Sequence, residues 1–210
     1  MSRIMIADDH AIVREGLKLL LNNNEELQIV ASVATGEELI QKLRETNCDL
    51  VILDITMSGK DVLDTIKDIK SMKPHLPILI FTMNPADQYA VRVLKAGAFG
   101  YINKESDPDE ILAAIRKVLS GNMYIPQDIA ELLANNLKGE TGVVLHETLT
   151  NREFQIMCMI AEGRSVTHIS EKLFLSKNTI SNHRSHILQK LKLKNNSELT
   201  HYAIKNNLIS

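Results

Sequence analysis

The chain has 210 residues, 44% of them apolar and 24% charged, with a formal net charge of −2; this is an ordinary globular composition that excludes fibrous and disordered chains, and the length allows one or two domains. No run approaches the roughly 18–20 apolar residues needed to span a bilayer, and Met1-Ser2-Arg3 leads directly into a strand pattern, not a signal peptide, so a cytoplasmic protein is expected. Cys48 and Cys158 stand alone, without metal spacing or a CxxC pair, which predicts reduced thiols filling apolar positions.

The small net charge conceals a split. Residues 1–121 carry 14 Lys and Arg against 18 Asp and Glu, a net of −4; residues 122–148 carry 1 against 4, a net of −3; residues 149–210 carry 9 against 4, a net of +5. An acidic front and a basic rear suggest a metal or phosphoryl site joined to a binder of a polyanion.

In chain order, Arg3–Ala7 reads as a strand that stops at Asp8-Asp9-His10, and a helical pattern follows through Ile12, Val13, Leu17, Leu20 and Leu21. The alternation repeats four times: strand Leu27–Val33 and helix Gly36–Thr46, strand Leu50–Leu53 and helix Asp61–Met72, strand Ile78–Phe81 and helix Asp87–Ala96, strand Gly100–Ile102 and helix Pro108–Ser120. Five βα units in about 120 residues imply a parallel, doubly wound sheet with helices on both faces. Past Gly121 the pattern changes. Pro126–Leu137 reads as a connecting helix and Lys138-Gly139-Glu140-Thr141-Gly142 as a flexible linker, so the expected domains are 1–121, a linker 122–148 and 149–210.

From Leu149 the period is helical throughout. Thr150-x-x-Glu153 has the form of a capping box, and Gly163 ends the first helix. A short helix over Val166–Leu173, the turn Phe174-Leu175-Ser176 and a helix from Lys177 to about Lys192 give a helix-turn-helix spacing with Ser176 as N-cap. A last helix is expected over about Glu198–Asn206.

On the parallel topology Asp8 and Asp9 follow the first strand and Asp54 ends the third, so three carboxylates meet at one sheet edge. Like charges about 4 Å apart repel by about 4 kcal/mol at an effective dielectric near 20, and a divalent cation relieves that; oxygen ligands favour Mg²⁺ or Mn²⁺ over zinc. Thr82 and Lys104 follow the next two strands, bringing a hydroxyl and an ammonium to the same edge, as a phosphoryl group on Asp54 would require. Each residue alone has a bland reading as turn former or solvated charge. Five together argue against coincidence. His10 reads as a helix-start residue in preference to a phosphorelay histidine.

Through Asp8-Asp9, Leu53-Asp54, Thr82, Ala96-Gly97-Ala98 and Tyr101-x-x-Lys104, residues 1–121 resemble the receiver domain of two-component response regulators. The resemblance implies that Asp9 binds Mg²⁺ directly and Asp8 through water, that the Thr56 carbonyl completes the metal shell, and that Asp54 takes a phosphoryl group from a sensor histidine kinase. It also implies a switch in which the Thr82 hydroxyl moves to the phosphate and the Tyr101 ring turns inward behind it. Two positions depart from the family pattern: Ser58 replaces a usual Pro, and Val62 stands near a usual Gly. Both point to a more mobile loop around Asp54 and leave every ligand in place.

On the long rear helix, Ile180, Ile187, Leu188 and Leu191 project to one side, with Asn178, Asn182, Ser185 and Gln189 opposite and Ser181 at their edge. Lys177, His183, His186, Lys190 and Lys192 flank that stripe, which suits a helix in the major groove: amides and hydroxyls read base edges and basic groups hold phosphates. The bland alternative is a solvated face of a small bundle. Leu149-Thr150-x-Arg152-Glu153, Ala161-Glu162-Gly163, Phe174-Leu175-Ser176, Thr179-Ile180-x-x-His183 and Ile187-Leu188-x-Lys190-Leu191 resemble the LuxR/NarL-type DNA-binding domain. That resemblance implies DNA contacts from Lys177, Asn178, Thr179, Ser181, Asn182, His183, Ser185, Lys190 and Lys192, and a dimer on two half-sites of double-stranded DNA. His168 stands where the family usually has Glu, and Ser181 and Ser185 where it often has Lys.

The leading expectation is therefore a DNA-binding transcription regulator switched by phosphorylation, dimeric when phosphorylated. Two other readings share its parts. An aspartyl-phosphate phosphatase would use the same acids, Thr and Lys, but needs a substrate pocket and usually a cap domain. A DNA binder whose receiver acts only as a dimerisation block would keep its regulation in Asp54→Asn.

Overall fold

The computed structural model describes residues 1–57, 59–83, 87–137, 145–206 and 208–209; Ser58 and the expected linker 138–142 lie outside them. The chain divides into two compact units, one of residues 1–85 and 90–130 and the other of 86–89 and 131–210, so the main division falls between Ala130 and Glu131.

In the first unit five strands, β1 (Ser2–Ala7), β2 (Leu27–Val33), β3 (Leu50–Leu53), β4 (Ile78–Thr82) and β5 (Gly100–Asn103), form one sheet in the order β2-β1-β3-β4-β5. All neighbours are parallel. Helices α1 (Ala11–Asn22), α2 (Gly36–Glu45), α3 (Val62–Met72) and α4 (Asp87–Lys95) are the crossovers and α5 (Pro108–Leu119) follows the last strand, so the expected doubly wound architecture is the one observed, flavodoxin-like in its strand order. Strand β3 is buried at all four residues, as a strand covered on both faces must be. On one face Ile4, Ile6, Leu50, Ile52, Leu79, Phe81 and Ile102 pack with Leu17 and Leu21 of α1 and with Ile111, Ala114, Ile115 and Val118 of α5. Cys48 lies in the apolar interior, where burial pushes its thiol up to about 11, in keeping with an inert, reduced side chain.

Strands β4 and β5 each run one residue beyond the apolar run that announces them, because Thr82 and Asn103 pair with each other in register. Backbone pairing continues where hydrophobicity stops. The polar ends that result are the rim on which the candidate site stands, and order reversal between β1 and β3 opens the crevice where such sheets bind ligands.

The second unit is helical: α6 (Gln127–Leu137) crosses the division, and a 3-10 turn (Leu145–Thr148) precedes α7 (Asn151–Ala161), α8 (Val166–Leu173), α9 (Lys177–Leu191) and α10 (Asn196–Lys205). The capping box is present: Glu153 N–H donates to Thr150 Oγ1 at 3.3 Å and Thr150 N–H to Glu153 Oε2 at 2.8 Å. Helix α8 keeps half of such a box, since Ser165 Oγ accepts from His168 N–H at 3.2 Å but an imidazole at that position returns no carboxylate. Helix α10 begins two residues before its expected start because Asn195 Oδ1 accepts from Glu198 N–H at 2.9 Å and acts as its N-cap. Phe154, Met157, Ile169, Leu173, Ile180, Ile187, Leu191, Leu199 and Ala203 are all buried and form this unit's interior.

Candidate functional site

The parallel register aligns Ala7 with Leu53, so the next residue on each strand, Asp8 and Asp54, stand side by side at the β1/β3 switch point. The ladder continues past both strands: Asp54 N–H donates to Ala7 O at 2.9 Å and Asp8 N–H to Val33 O at 3.2 Å, which fixes both carboxylates to a rigid frame. Each residue is only 1% exposed. Burial of two carboxylates this close demands a cation.

Lys104, just past β5, supplies one. Its Nζ lies 2.6 Å from Asp8 Oδ2 and 2.8 Å from Asp54 Oδ2, with the side chain 4% exposed. Lys104 N–H donates to Thr82 O at 2.9 Å, so the ends of β4 and β5 are tied where the hydroxyl-bearing and ammonium-bearing residues leave the sheet. Thr82 is fully buried. Thr56 holds the Asp54 carboxylate from its own loop, its N–H donating to Asp54 Oδ1 at 3.1 Å and its hydroxyl to Asp54 Oδ2 at 2.8 Å. That loop is held in turn by α2: Lys60 N–H donates to Glu37 Oε1 at 3.1 Å. Gly59 has φ +92°, a conformation that favours glycine, and a Cβ there would lie 3.1 Å from the Glu37 carboxylate.

Asp9 is at the mouth, its side chain 26% exposed. His10 starts α1 as its N-cap residue but makes no side-chain cap; its ring instead faces the acids, with Nδ1 2.8 Å from Asp9 Oδ1 and 3.3 Å from Asp8 Oδ1. Arg14 Nη1 donates to Asp8 O at 2.7 Å. Neither the ring position of His10 nor the Arg14 contact follows from periodicity, which assigns a helix face and not the direction of a polar tip. Asp8, Asp9, His10 and Asp54 each bring one potential ligand atom within 4.8 Å of one another. Asp8 Oδ2 and Asp9 Oδ1 are buried and accept no aligned hydrogen bond, although Lys104 and His10 are within ion-pair distance. Under-used, hard oxygen donors of this kind suit a divalent cation such as Mg²⁺.

Tyr101, two residues before the end of β5, is 3% exposed, so its ring is buried against the domain. Five expected groups, Asp8, Asp9, Asp54, Thr82 and Lys104, thus share one rim.

In the helical unit, Ser176 Oγ accepts from Thr179 N–H at 3.0 Å and lies 2.8 Å from Thr179 Oγ1. Ile180, Ile187, Leu188 and Leu191 are buried while Lys177, Asn178, Ser181, Asn182, Ser185, His186 and Lys192 are exposed, the division expected of a helix that offers one face outward. Three side chains differ from a simple outward stripe. Lys190 Nζ lies 2.6 Å from Glu153 Oε2, so this lysine braces α9 against the start of α7. Ser185 Oγ donates to Ser181 O at 3.1 Å, back into its own helix. Burial pushes the half-buried His183 imidazole below its ordinary range, against the opposing pull of Glu153.

A parallel β2-β1-β3-β4-β5 sheet with acids, Thr and Lys on its carboxyl rim, joined to a capped helix-turn-helix, defines a signal-receiving domain coupled to a DNA-binding one. Residues 4–116 match the response regulator receiver domain model, and residues 147–203 match that of bacterial regulatory proteins of the luxR family. The chain belongs to the response regulators that carry a LuxR-type DNA-binding domain, a class of DNA-binding regulators and not of conventional catalytic enzymes.

It is 38% identical over 215 residues to the oxygen regulatory protein NreC of Staphylococcus epidermidis and 37% identical over 214 residues to that of Staphylococcus carnosus, each match covering 99% of both chains. Among solved structures it is similar to RcsB of Salmonella enterica serovar Typhimurium bound to promoter rprA with the phosphomimetic BeF3⁻, at a TM-score of 0.65 and 29% identity over 96% of this chain and 97% of that one. A LuxR-family response regulator from an Aurantimonas species aligns at a TM-score of 0.61 with 36% identity, covering 66% of this chain and 99% of its own. No helix among the described residues is long and apolar enough to cross a membrane.

Proposed function

We propose that Asp54 is the phosphoacceptor of this regulator and that its charge controls dimerisation and DNA binding. An Asp54 carboxylate oxygen attacks the phosphorus of a phosphohistidine on a sensor kinase; the P–N bond breaks, the imidazole leaves and takes up a proton, and an acyl phosphate forms on Asp54. Asp8, Asp9, Asp54 and the Thr56 carbonyl would hold Mg²⁺ or Mn²⁺, which when bound supplies positive charge against the phosphoryl oxygens. Lys104 is released from its double ion pair to the new phosphate, Thr82 donates its hydroxyl to it, and Tyr101 keeps the space behind Thr82 filled. Phosphoryl transfer from a donor to its own Asp54 and hydrolysis of that acyl phosphate are the only enzymatic events assigned to the chain.

We assign residues 1–121 to the receiver, 122–148 to the connection and 149–210 to the DNA-binding domain, which acts in the cytoplasm on two half-sites as a dimer. Lys177, Asn178, Thr179, Ser181, Asn182, His183, Ser185 and Lys192 face the duplex; Lys190 is placed with them only if its pair with Glu153 opens. The observation that carries the reading is the buried triad of Asp8, Asp54 and Lys104, two carboxylates against one ammonium, a pocket that one covalent addition of about −1.5 to −2 charge must rearrange.

The test begins with selection of bound sequences from random DNA with and without acetyl phosphate and Mg²⁺. The wild-type chain gains phosphoryl mass and binds the selected sequence more tightly with donor, while Asp54→Asn gains neither. An affinity that responds equally in Asp54→Asn, or in neither protein, rejects the switch.

A further inference from the structure

The residues just after α5 do not leave the sheet at once. Tyr124 forms an isolated parallel bridge with Gly100 at the open edge of β5: Tyr101 N–H donates to Tyr124 O at 2.8 Å, and Tyr124 N–H to Phe99 O at 3.4 Å. The side chain is clasped as well. Its hydroxyl donates to Glu110 Oε1 at 2.7 Å, Lys117 Nζ stands 5.6 Å from its ring centroid, and the ring packs on the core shared by β5 and α5. Burial, then the Glu110 carboxylate, pushes the phenol up to about 12, so this bond persists across physiological pH.

A second observation concerns Gly100. A Cβ at that position would lie 2.9 Å from Leu79 Cδ1, 3.0 Å from Tyr124 O and 3.1 Å from Val118 Cγ2. Its φ is not in the left-handed region, so conformational freedom is not what glycine supplies there. What it supplies is room for the backbone of residue 124 to reach the strand.

We propose that segment 123–125 is a coupling strand: clasped to β5 through Tyr101, it passes the state of the phosphoacceptor pocket to the helix that begins at Gln127, with Tyr124 and Gly100 as its positioning residues. The inference rests on the phosphoacceptor reading of Asp54 and extends it from the pocket to the connection. Tyr101 follows Gly100 on the strand whose next residues lead to Lys104. When Lys104 and Thr82 move toward a phosphate, β5 must adjust, and the one backbone N–H of Tyr101 that faces outward carries that adjustment to the Tyr124 carbonyl. Three residues later α6 begins, and a shifted start redirects the helix axis. Simple protection of an open strand edge would use the same bridge, but would leave DNA binding indifferent to it.

The full-length chain separates the two. Tyr124→Pro keeps the carbonyl that accepts from Tyr101 but removes the N–H bonded to Phe99 and the clasped ring, the two anchors that hold that carbonyl against β5; Tyr124→Phe removes only the Glu110 bond. The wild type gains DNA affinity with acetyl phosphate within the span of about 5–150-fold usual for coupled sites, whereas Tyr124→Pro retains a gain of about two-fold or less and Tyr124→Phe an intermediate one. Uptake of phosphoryl mass at Asp54 matches wild type in both. Full gain in Tyr124→Pro overturns the proposal. If that variant fails to fold, amide exchange in the wild-type chain decides: protection of the Tyr101 amide changes several-fold on phosphorylation, and an unchanged rate overturns it. A wild type that takes up no phosphoryl group, or whose DNA affinity ignores it, brings down the underlying reading as well and is recognised by that first control.

Discussion

Lys104 sets the electrostatic balance of the pocket, because it is the ammonium placed between two buried carboxylates at 2.6 and 2.8 Å. Removing one partner from a buried ion cluster costs about 3–5 kcal/mol, so Lys104→Met lowers the melting temperature of the receiver. A cation that binds only the folded state restores stability by mass action; Mg²⁺ therefore raises the melting temperature of Lys104→Met by more than it raises that of the wild type. Equal Mg²⁺ responses in calorimetry would place the ion elsewhere. Glu153 presents the same physics in the other unit. Burial raises its carboxyl, but the Lys190 ammonium and the Thr150 donors outweigh burial and hold it below the ordinary carboxylate range. A group lowered in this way contributes stability that is present above its unfolded value of about 4.3 and is lost as pH falls through the folded value. Unfolding followed by circular dichroism between about pH 5 and pH 3 accordingly shows a steeper acid loss in the wild type than in Glu153→Gln.

At the scale of elements, α9 divides its lysines between two tasks. Lys177, Lys190 and Lys192 are all exposed, but Lys190 is engaged with Glu153 across 37 positions. Each phosphate deprived of its cationic partner on the protein reduces the salt slope of DNA binding by about 0.9. Lys177→Ala and Lys192→Ala therefore each flatten that slope by about this amount, while Lys190→Ala leaves it in place and lowers stability, measurable by titrations at several salt concentrations. The same division shows what was legible in the amino-acid order. Apolar periodicity located every strand and helix of the sheet unit and the buried face of α9, since burial is what the period records. Asp8 and Asp54 were legible as acids directly after apolar runs and Lys104 as a lysine one residue past another such run, and topology brings them together. Hidden were interactions set by long side chains or single backbone groups: the Lys190 tip turning to Glu153, the His10 ring turning to Asp9, and Tyr124 adding one bridge to β5. None has a period, and a lone bridge or a 3-10 turn such as Leu145–Thr148 is too short to show one.

For the molecule as a whole, the switch is a coupling free energy between two sites, and coupling is reciprocal. If an anion mimicking the phosphoryl group tightens DNA binding by some factor, the DNA must tighten binding of that anion by the same factor, because both routes end in one ternary state. Beryllofluoride with Mg²⁺ is a suitable probe, since it binds without a covalent step and its affinity is an equilibrium quantity. Receiver occupancy titrated with beryllofluoride, read by ¹⁹F resonance, shifts to lower concentration when saturating selected DNA is present, by the factor in which beryllofluoride improves DNA affinity in the reverse titration. Asp54→Asn abolishes both shifts together. Tyr124→Pro diminishes both together as well, with the beryllofluoride affinity of the DNA-free chain unchanged, because a coupling element affects neither site alone. Unequal factors in the two directions would mean that the mimic acts on DNA binding by some route other than the Asp54 pocket.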